Sequence, residues 1–125
     1  MGREAARRFA SRGETVALFD VNAQGMAETR GNLAGIHCWT VDMTDFAAVC
    51  AAVQDVEHKL GPIAGLYNCA AIMPFGKLLE QDNAIIHKQM AINYGGLVNI
   101  TQAVLPGMLA RGHGDFVSFA SMAGI

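Results

Sequence analysis

The chain has 125 residues, which is enough for one domain and too few for two. Hydrophobic residues make up 52% of it and charged residues 16%, a composition typical of a globular protein rather than a disordered one. A net charge of −2 and a pI near 6.0 argue against general binding of nucleic acids or anionic membranes. No apolar run reaches the roughly 20 residues that cross a bilayer, and the basic N-terminus lacks the apolar segment of a secretory signal.

The three cysteines, Cys38, Cys50 and Cys69, are an odd number, and no two of them stand in a C-x-x-C spacing. This pattern predicts free thiols in a reducing, cytoplasmic compartment rather than a disulfide framework or a zinc site. The four histidines lie far apart along the chain, so no metal site is expected.

Hydrophobic periodicity divides the chain into alternating helices and strands. Apolar residues at helical spacing predict helices over 3–12, 22–32 and 44–60. A longer helical region is predicted from about 82 to 111, with Pro106 kinking or ending it. Continuous apolar runs predict strands over 15–20, 36–42, 63–71 and 116–120, and residues 73–81 are expected to form a surface loop.

This order of elements predicts the fold class. Strands of the kind buried on both faces, alternating with helices, indicate an α/β fold in which a parallel sheet carries helices on both faces. The first element is a helix that has no strand before it in the 125 residues.

Ligands of such sheets bind beyond the carboxyl ends of the strands. Asp20, Asp42 and the segments 68–71 and 120–124 follow the predicted strands. Each also has a structural interpretation, because acids after strands often cap the next helix and Asn or Ser side chains often satisfy turns. Asp20 has the strongest functional interpretation, since an acid about 20 residues beyond a glycine turn binds the ribose hydroxyls of NAD. Gly2 is then a candidate for the last glycine of a phosphate-binding turn.

In this order and spacing the segments resemble the short-chain dehydrogenase/reductase family along the whole chain. MGREAARRFASRGETVALFD resembles the end of the family's T-G-x-x-x-G-I-G turn with the helix and strand that follow it. VDMTD, residues 41–45, resembles D-V-T-D, which implies that Asp42 lies beside the adenine ring and that Met43 lines its pocket. LYNCAAI, residues 66–72, resembles N-N-A-G, with Asn68 and Ala70 matching the first Asn and the Ala, and Cys69 and Ala71 replacing the others.

Two further segments match the catalytic part of the family pattern. INYGGLVNITQAVLPGM, residues 92–108, resembles the helix that carries the active-site Asn, here Asn93. FVSFASMAG, residues 116–124, resembles the segment that carries the catalytic Ser, here Ser121.

The resemblance implies a Rossmann-like, doubly wound fold and hydride transfer between a nicotinamide cofactor and a small-molecule alcohol or ketone. Ser121 would hydrogen-bond the substrate oxygen and Asn93 would support a water relay. The acid at Asp20 favours NAD over NADP, because it repels the extra phosphate of NADP. Arg3 could bind such a phosphate, but it is interpreted more simply as part of a solvated helix face. The resemblance also implies that the complete form is a homo-oligomer.

Two parts of the family pattern are not found in these 125 residues. The family's Tyr-x-x-x-Lys is not present, since Tyr67 and Tyr94 are followed four residues later by Ala71 and Val98. The family's first strand and most of its glycine turn are not found either. The resemblance therefore implies a partial NAD(P)-binding domain over 1–125, truncated at both ends, with an empty slot in its sheet.

Two hypotheses for function follow from these departures. The chain is expected to be part of an NAD-dependent dehydrogenase and to be inactive alone. The alternative is a non-catalytic module that binds nucleotide or a partner supplying the missing strand.

Overall fold

The computed structural model describes residues 1–120, in which helices and strands alternate as predicted. The helices are α1 Gly2–Ser11, α2 Ala23–Arg30, α3 Phe46–Leu60, α4 Asn83–Met90 and α5 Gly96–Arg111. The strands are β1 Val16–Asp20, β2 Ile36–Thr40, β3 Gly65–Asn68 and β4 Asp115–Ser118. The main difference from the sequence prediction is length, because β3 and β4 are each four residues long.

Side-chain caps fix where several helices begin. The side chain of Asn22 accepts a hydrogen bond from the N–H of Gly25 at the start of α2, and Asp45 accepts one from Ala48 at the start of α3. The cap at Asp45 explains why α3 begins at Phe46 rather than at the predicted residue 44. α3 and α5 end at Gly61 and Gly112, whose φ angles of 95° and 75° favour glycine.

The long helical region is continuous from α4 to α5 through a π-helical turn, Ala91–Gly95. The alternative that Pro106 ends the helix is wrong, since α5 continues past it to Arg111. A proline in a helix removes one backbone hydrogen bond, and here the buried side chains of Ile100, Val104 and Met108 hold α5 against the core.

The strands form two separate parallel pairs. β1 pairs with β2, and β3 pairs with β4, with registers that start at Val16↔Ile36 and Gly65↔Asp115. In residues 1–120 no strand pairing joins β1 to β3. The interruption lies at the slot that the family resemblance predicts to be empty, between strands 15–20 and 63–71.

Helices cover both faces of the strands, as the sequence predicts. Phe19, Trp39 and Leu66 pack against a cluster of buried side chains from the loop after β2 and from α3 and α5. Successive strand residues point to opposite faces. Tyr67, next to Leu66, meets Phe9 of α1 with ring centroids 4.7 Å apart. The strands therefore lie between α1 on one side and α3 with α5 on the other.

Across residues 1–120, no helix combines the length and the apolar character needed to cross a membrane.

Candidate functional site

A cleft of about 770 Å³ lies between the two strand pairs and extends to their carboxyl ends. All the residues predicted to bind cofactor line this cleft, from elements far apart in sequence: Gly2, Asp20, Asp42, Met43, Asn68 and Ala70. The predicted residues are brought together because parallel strands present all their carboxyl ends at one edge.

Asp20 is the last residue of β1 and is exposed at the mouth of the cleft. Its Oδ1 accepts a hydrogen bond of 2.9 Å from the backbone N–H of Asn22, the residue that caps α2. This bond holds the carboxylate in place at the strand end. Asp20 therefore has the turn-forming role that the sequence left open, and it lines the cleft as well.

Asp42 forms a tight turn after β2. Its Oδ1 accepts hydrogen bonds from the backbone N–H of Thr44 at 2.9 Å and from the Thr44 hydroxyl at 2.8 Å. The hydrogen bond from the Thr44 backbone, followed by that from its hydroxyl, lowers the pKa of the Asp42 carboxyl below its ordinary value. Asp42 is thus held as a carboxylate by local hydrogen bonds.

Met43 is 8% exposed. It contacts α5 through a hydrogen bond and through a close approach, neither of which the sequence predicted. The side-chain Nδ2 of Asn99 donates a hydrogen bond of 2.9 Å to the carbonyl oxygen of Met43. A Cβ built on Gly96 would lie 3.0 Å from the Cβ of Met43, so α5 approaches this loop closely only because residue 96 is glycine. A polar Asn one turn after a glycine, on a helix with an apolar face, is the signal that could have indicated this link.

The first turn of α1 lies against the segment that follows β3. A Cβ built on Gly2 would lie 3.3 Å from the Cβ of Cys69. No side chain accepts a capping hydrogen bond from the backbone N–H groups at the start of α1. Burial raises the pKa of the Cys69 thiol, which favours the neutral form beside this helix start.

Asn93 lies in the π-helical turn and is held by the segment after β3. Its Oδ1 accepts a hydrogen bond from the N–H of Ile72, and its Nδ2 donates one to the carbonyl of Ile72, both at 2.9 Å. The side-chain amide therefore bonds one residue's backbone through both its oxygen and its nitrogen, a geometry that the sequence did not predict. Ser121, the other predicted catalytic residue, lies outside the described residues.

Comparison with known proteins gives a consistent result. The short chain dehydrogenase family model matches residues 1–125. The chain is 38% identical over 122 residues to an inactive 2-(S)-hydroxypropyl-CoM dehydrogenase 2 of Xanthobacter autotrophicus, covering 96% of this chain and 53% of that protein. It is 33% identical to an NAD(+)-dependent 2-dehydro-3-deoxy-L-rhamnonate dehydrogenase of Sphingomonas sp., covering 99% of this chain and 50% of that protein.

Among solved structures, a serine dehydrogenase of Escherichia coli superposes with a TM-score of 0.87 at 26% identity. That match covers 95% of this chain and 56% of the other. The chain thus spans about half the length of the curated relatives it matches.

Proposed function

Because the chain belongs to the short-chain dehydrogenase family, we propose that it forms the NAD-binding part of an oxidoreductase. The reaction proposed is hydride transfer between NAD(H) and a small-molecule alcohol or ketone, in keeping with the dehydrogenases that the chain resembles. Enzymes of this family use nicotinamide cofactors. The observation that carries the proposal is the single cleft on which all the predicted cofactor-binding residues converge.

The residues at the carboxyl-end edge of the cleft suit a dinucleotide in their chemistry. The proposed adenine site is formed by Asp42 and by Met43, which supplies apolar surface. Asn68 at the end of β3 and Ala70 after it would hold the middle of the cofactor, and the start of α1 at Gly2 would face its phosphates.

Asp20 supports NAD rather than NADP as the cofactor. A carboxylate at the end of β1 accepts hydrogen bonds from both ribose hydroxyls and repels a phosphate at the same place. Arg3, the alternative phosphate ligand, is engaged elsewhere, with Nη2 lying 3.2 Å from Oε2 of Glu28 and Nε donating to the Thr29 hydroxyl. These contacts favour the structural interpretation of Arg3.

When bound, the nicotinamide supplies or accepts the hydride. The proposed contribution of Ser121 is a hydrogen bond to the substrate oxygen. Asn93 acts as a positioning residue in this proposal, because its side chain is used to hold Ile72 and the segment that follows β3.

Amide NMR spectra recorded during titration test the proposal. NAD and AMP are expected to shift the amide signals of Asp20, Asp42 and Met43 saturably, because both ligands carry the adenosine half. Nicotinamide mononucleotide, the matched control, is expected to leave these signals in place. Shifts confined to residues outside the cleft, or no saturable shift, would contradict the proposal.

A second candidate is a module that binds nucleotide without turning it over. The observation that favours it is the 38% identical relative, which is itself named as an inactive dehydrogenase. Cofactor binding without hydride transfer distinguishes this candidate from an enzyme.

We also propose a cellular compartment and an oligomeric state for the protein. Cys38, Cys50 and Cys69 are free thiols, which supports a reducing compartment such as the cytoplasm. A homo-oligomer is supported by apolar side chains that are more than 40% exposed on α4 and the π-helical turn, namely Ile85, Met90 and Tyr94.

A further inference from the structure

We propose that Thr29 is a positioning residue for the proposed NAD site. Its hydroxyl connects Arg3, at the start of α1, with the turn of α2 that holds the Asp20 carboxylate. The inference rests on the proposed function of Asp20, because Thr29 acts through that carboxylate rather than on the cofactor itself.

Thr29 lies near the end of α2 and is 6% exposed, which makes it the one buried polar residue among residues 1–120. Its hydroxyl donates a hydrogen bond of 2.7 Å to the carbonyl oxygen of Gly25 and accepts one of 3.2 Å from Nε of Arg3. A hydroxyl has a single proton, and here the carbonyl of Gly25 takes it, so the bond from Arg3 uses a lone pair. The hydroxyl therefore joins α1 to the first turn of α2.

From Gly25 the connection continues to Asp20 through the cap of α2. The N–H of Gly25 donates to Oδ1 of Asn22, and the N–H of Asn22 donates to Oδ1 of Asp20, both at 2.9 Å. A Cβ built on Gly25 would lie 3.0 Å from Nδ2 of Asn22, so the capping amide lies directly against this glycine. Because glycine has more backbone freedom than any other residue, the Thr29 hydroxyl restrains the most flexible point of the connection.

The whole network lies along the wall of the cleft. Its members that line the cleft are Arg3, Asp20, Asn22, Gly25 and Thr29. In the proposed site the start of α1 faces the phosphates and Asp20 binds the ribose. The network consequently fixes the spacing between these two parts of the site before the cofactor binds, and such preorganisation increases affinity.

Other contacts hold α1 and α2 together without the Thr29 hydroxyl. Arg7 binds the backbone at the end of α2, where its Nη2 donates to the carbonyl of Glu28 at 2.8 Å and its Nε donates to the carbonyl of Thr29 at 3.0 Å. The ion pair of Arg3 with Glu28 has side chains that are 51% and 54% exposed, so it contributes little. The helices can therefore stay packed when the hydroxyl is removed, while the first turn of α2 loses its restraint.

Isothermal titration of the 125-residue chain with NAD tests the inference. Thr29→Val removes the hydroxyl and keeps the shape of the side chain, and it is expected to lower NAD affinity about three- to tenfold, the effect of one hydrogen bond. Thr29→Ser keeps the hydroxyl and should bind NAD as the unsubstituted chain does. Arg7→Gln is the matched structural control, because it weakens the same helix contact without touching the hydroxyl. It should lower stability and leave NAD affinity unchanged.

The double variant with Asp20→Asn separates positioning from a general effect on the fold. If Thr29 acts through Asp20, adding Thr29→Val to Asp20→Asn should change NAD affinity little, because the carboxylate to be positioned is already gone. NMR titration measures the weak affinities of these variants. Equal fold-losses from Thr29→Val with and without Asp20→Asn would overturn the inference.

Hydrogen exchange without cofactor provides a second arm. In Thr29→Val the amides of Asn22 and Gly25 are expected to exchange about threefold faster or more, whereas Thr29→Ser should leave them unchanged. Unchanged exchange or unchanged NAD affinity in Thr29→Val would overturn the inference. Failure of the proposed function gives a different result, because the unsubstituted chain would then bind no NAD and the inference would fall with it.

Discussion

Asn93 and Ile72 are joined by a reciprocal pair of hydrogen bonds, each 2.9 Å long, between one side-chain amide and one backbone unit. The pair connects the π-helical turn between α4 and α5 to the segment that follows β3. This segment includes Ala70 of the proposed cofactor site and begins directly after Asn68, so Asn93 helps to fix one wall of the cleft.

Asn93→Ala is expected to destabilise the chain by roughly 1–3 kcal/mol, because it leaves two partly buried backbone groups of Ile72 without partners. Urea denaturation measures the change in the free energy of unfolding. Asn32→Ala, at an exposed position outside the helices, is the matched control and should change stability little. If Asn93→Ala lowers the free energy of unfolding no more than the control does, the pair of hydrogen bonds does not stabilise the fold.

The adjacent glycines Gly95 and Gly96 should respond differently to alanine. A Cβ on Gly96 would lie 3.0 Å from the Cβ of Met43, which is too close without a shift, whereas one on Gly95 has 4.0 Å to its nearest neighbour. Gly96→Ala is expected to be less stable than Gly95→Ala by about 1 kcal/mol or more. Thermal and urea denaturation of the two variants provide the comparison. Equal free energies of unfolding for the two variants would contradict this expectation, because Met43 would then move aside without a loss of stability.

Part of this site could be predicted from sequence and part could not. The strand ends carrying Asp20 and Asp42 were predictable, because apolar runs that end in acids indicate strands leading to a binding edge. The sequence could not predict the contacts of Asn93 with Ile72 and of Asn99 with Met43, because these contacts depend on how the long helical region packs against loops distant in sequence. The length of β3 was overestimated because an apolar run continues beyond the residues that pair with β4.

The stability contributed by Asp42 should depend on pH. Its folded-state pKa lies below the ordinary value of 3.8, so its ionised form stabilises the fold above that pH and this contribution is lost as the pH falls further. Asp42→Asn should therefore lower the free energy of unfolding at neutral pH, by less than about 1 kcal/mol at this exposed position. The difference from the unsubstituted chain should narrow as the pH falls below 3.8. A difference that stays constant with pH in urea denaturation would contradict the role of the charge.

The 125-residue chain is expected to show no hydride transfer by itself, since neither Tyr67 nor Tyr94 has a lysine four residues later. A neighbouring positive charge such as a lysine ammonium lowers the pKa of a tyrosine toward the working pH, so that it can act as an acid–base group. NADH formation across a panel of alcohols measures the activity, and the 33% identical 2-dehydro-3-deoxy-L-rhamnonate dehydrogenase (NAD(+)), tested with its own substrate, serves as the positive control. Robust turnover that requires Ser121 would contradict this expectation.

The proposed role of Asp20 as the ribose ligand is the central claim, and cofactor titration of Asp20→Asn tests it most directly. Isothermal titration with NAD and with NADP should show that the variant loses about ten- to a hundredfold in NAD affinity, as expected for a hydrogen bond to a charged group. NADP affinity should stay unchanged or improve, because the repelling charge is removed. Asp115→Asn, an exposed substitution of the same charge outside the cleft, should change neither affinity. Equal losses of NAD and NADP affinity in Asp20→Asn would contradict the account.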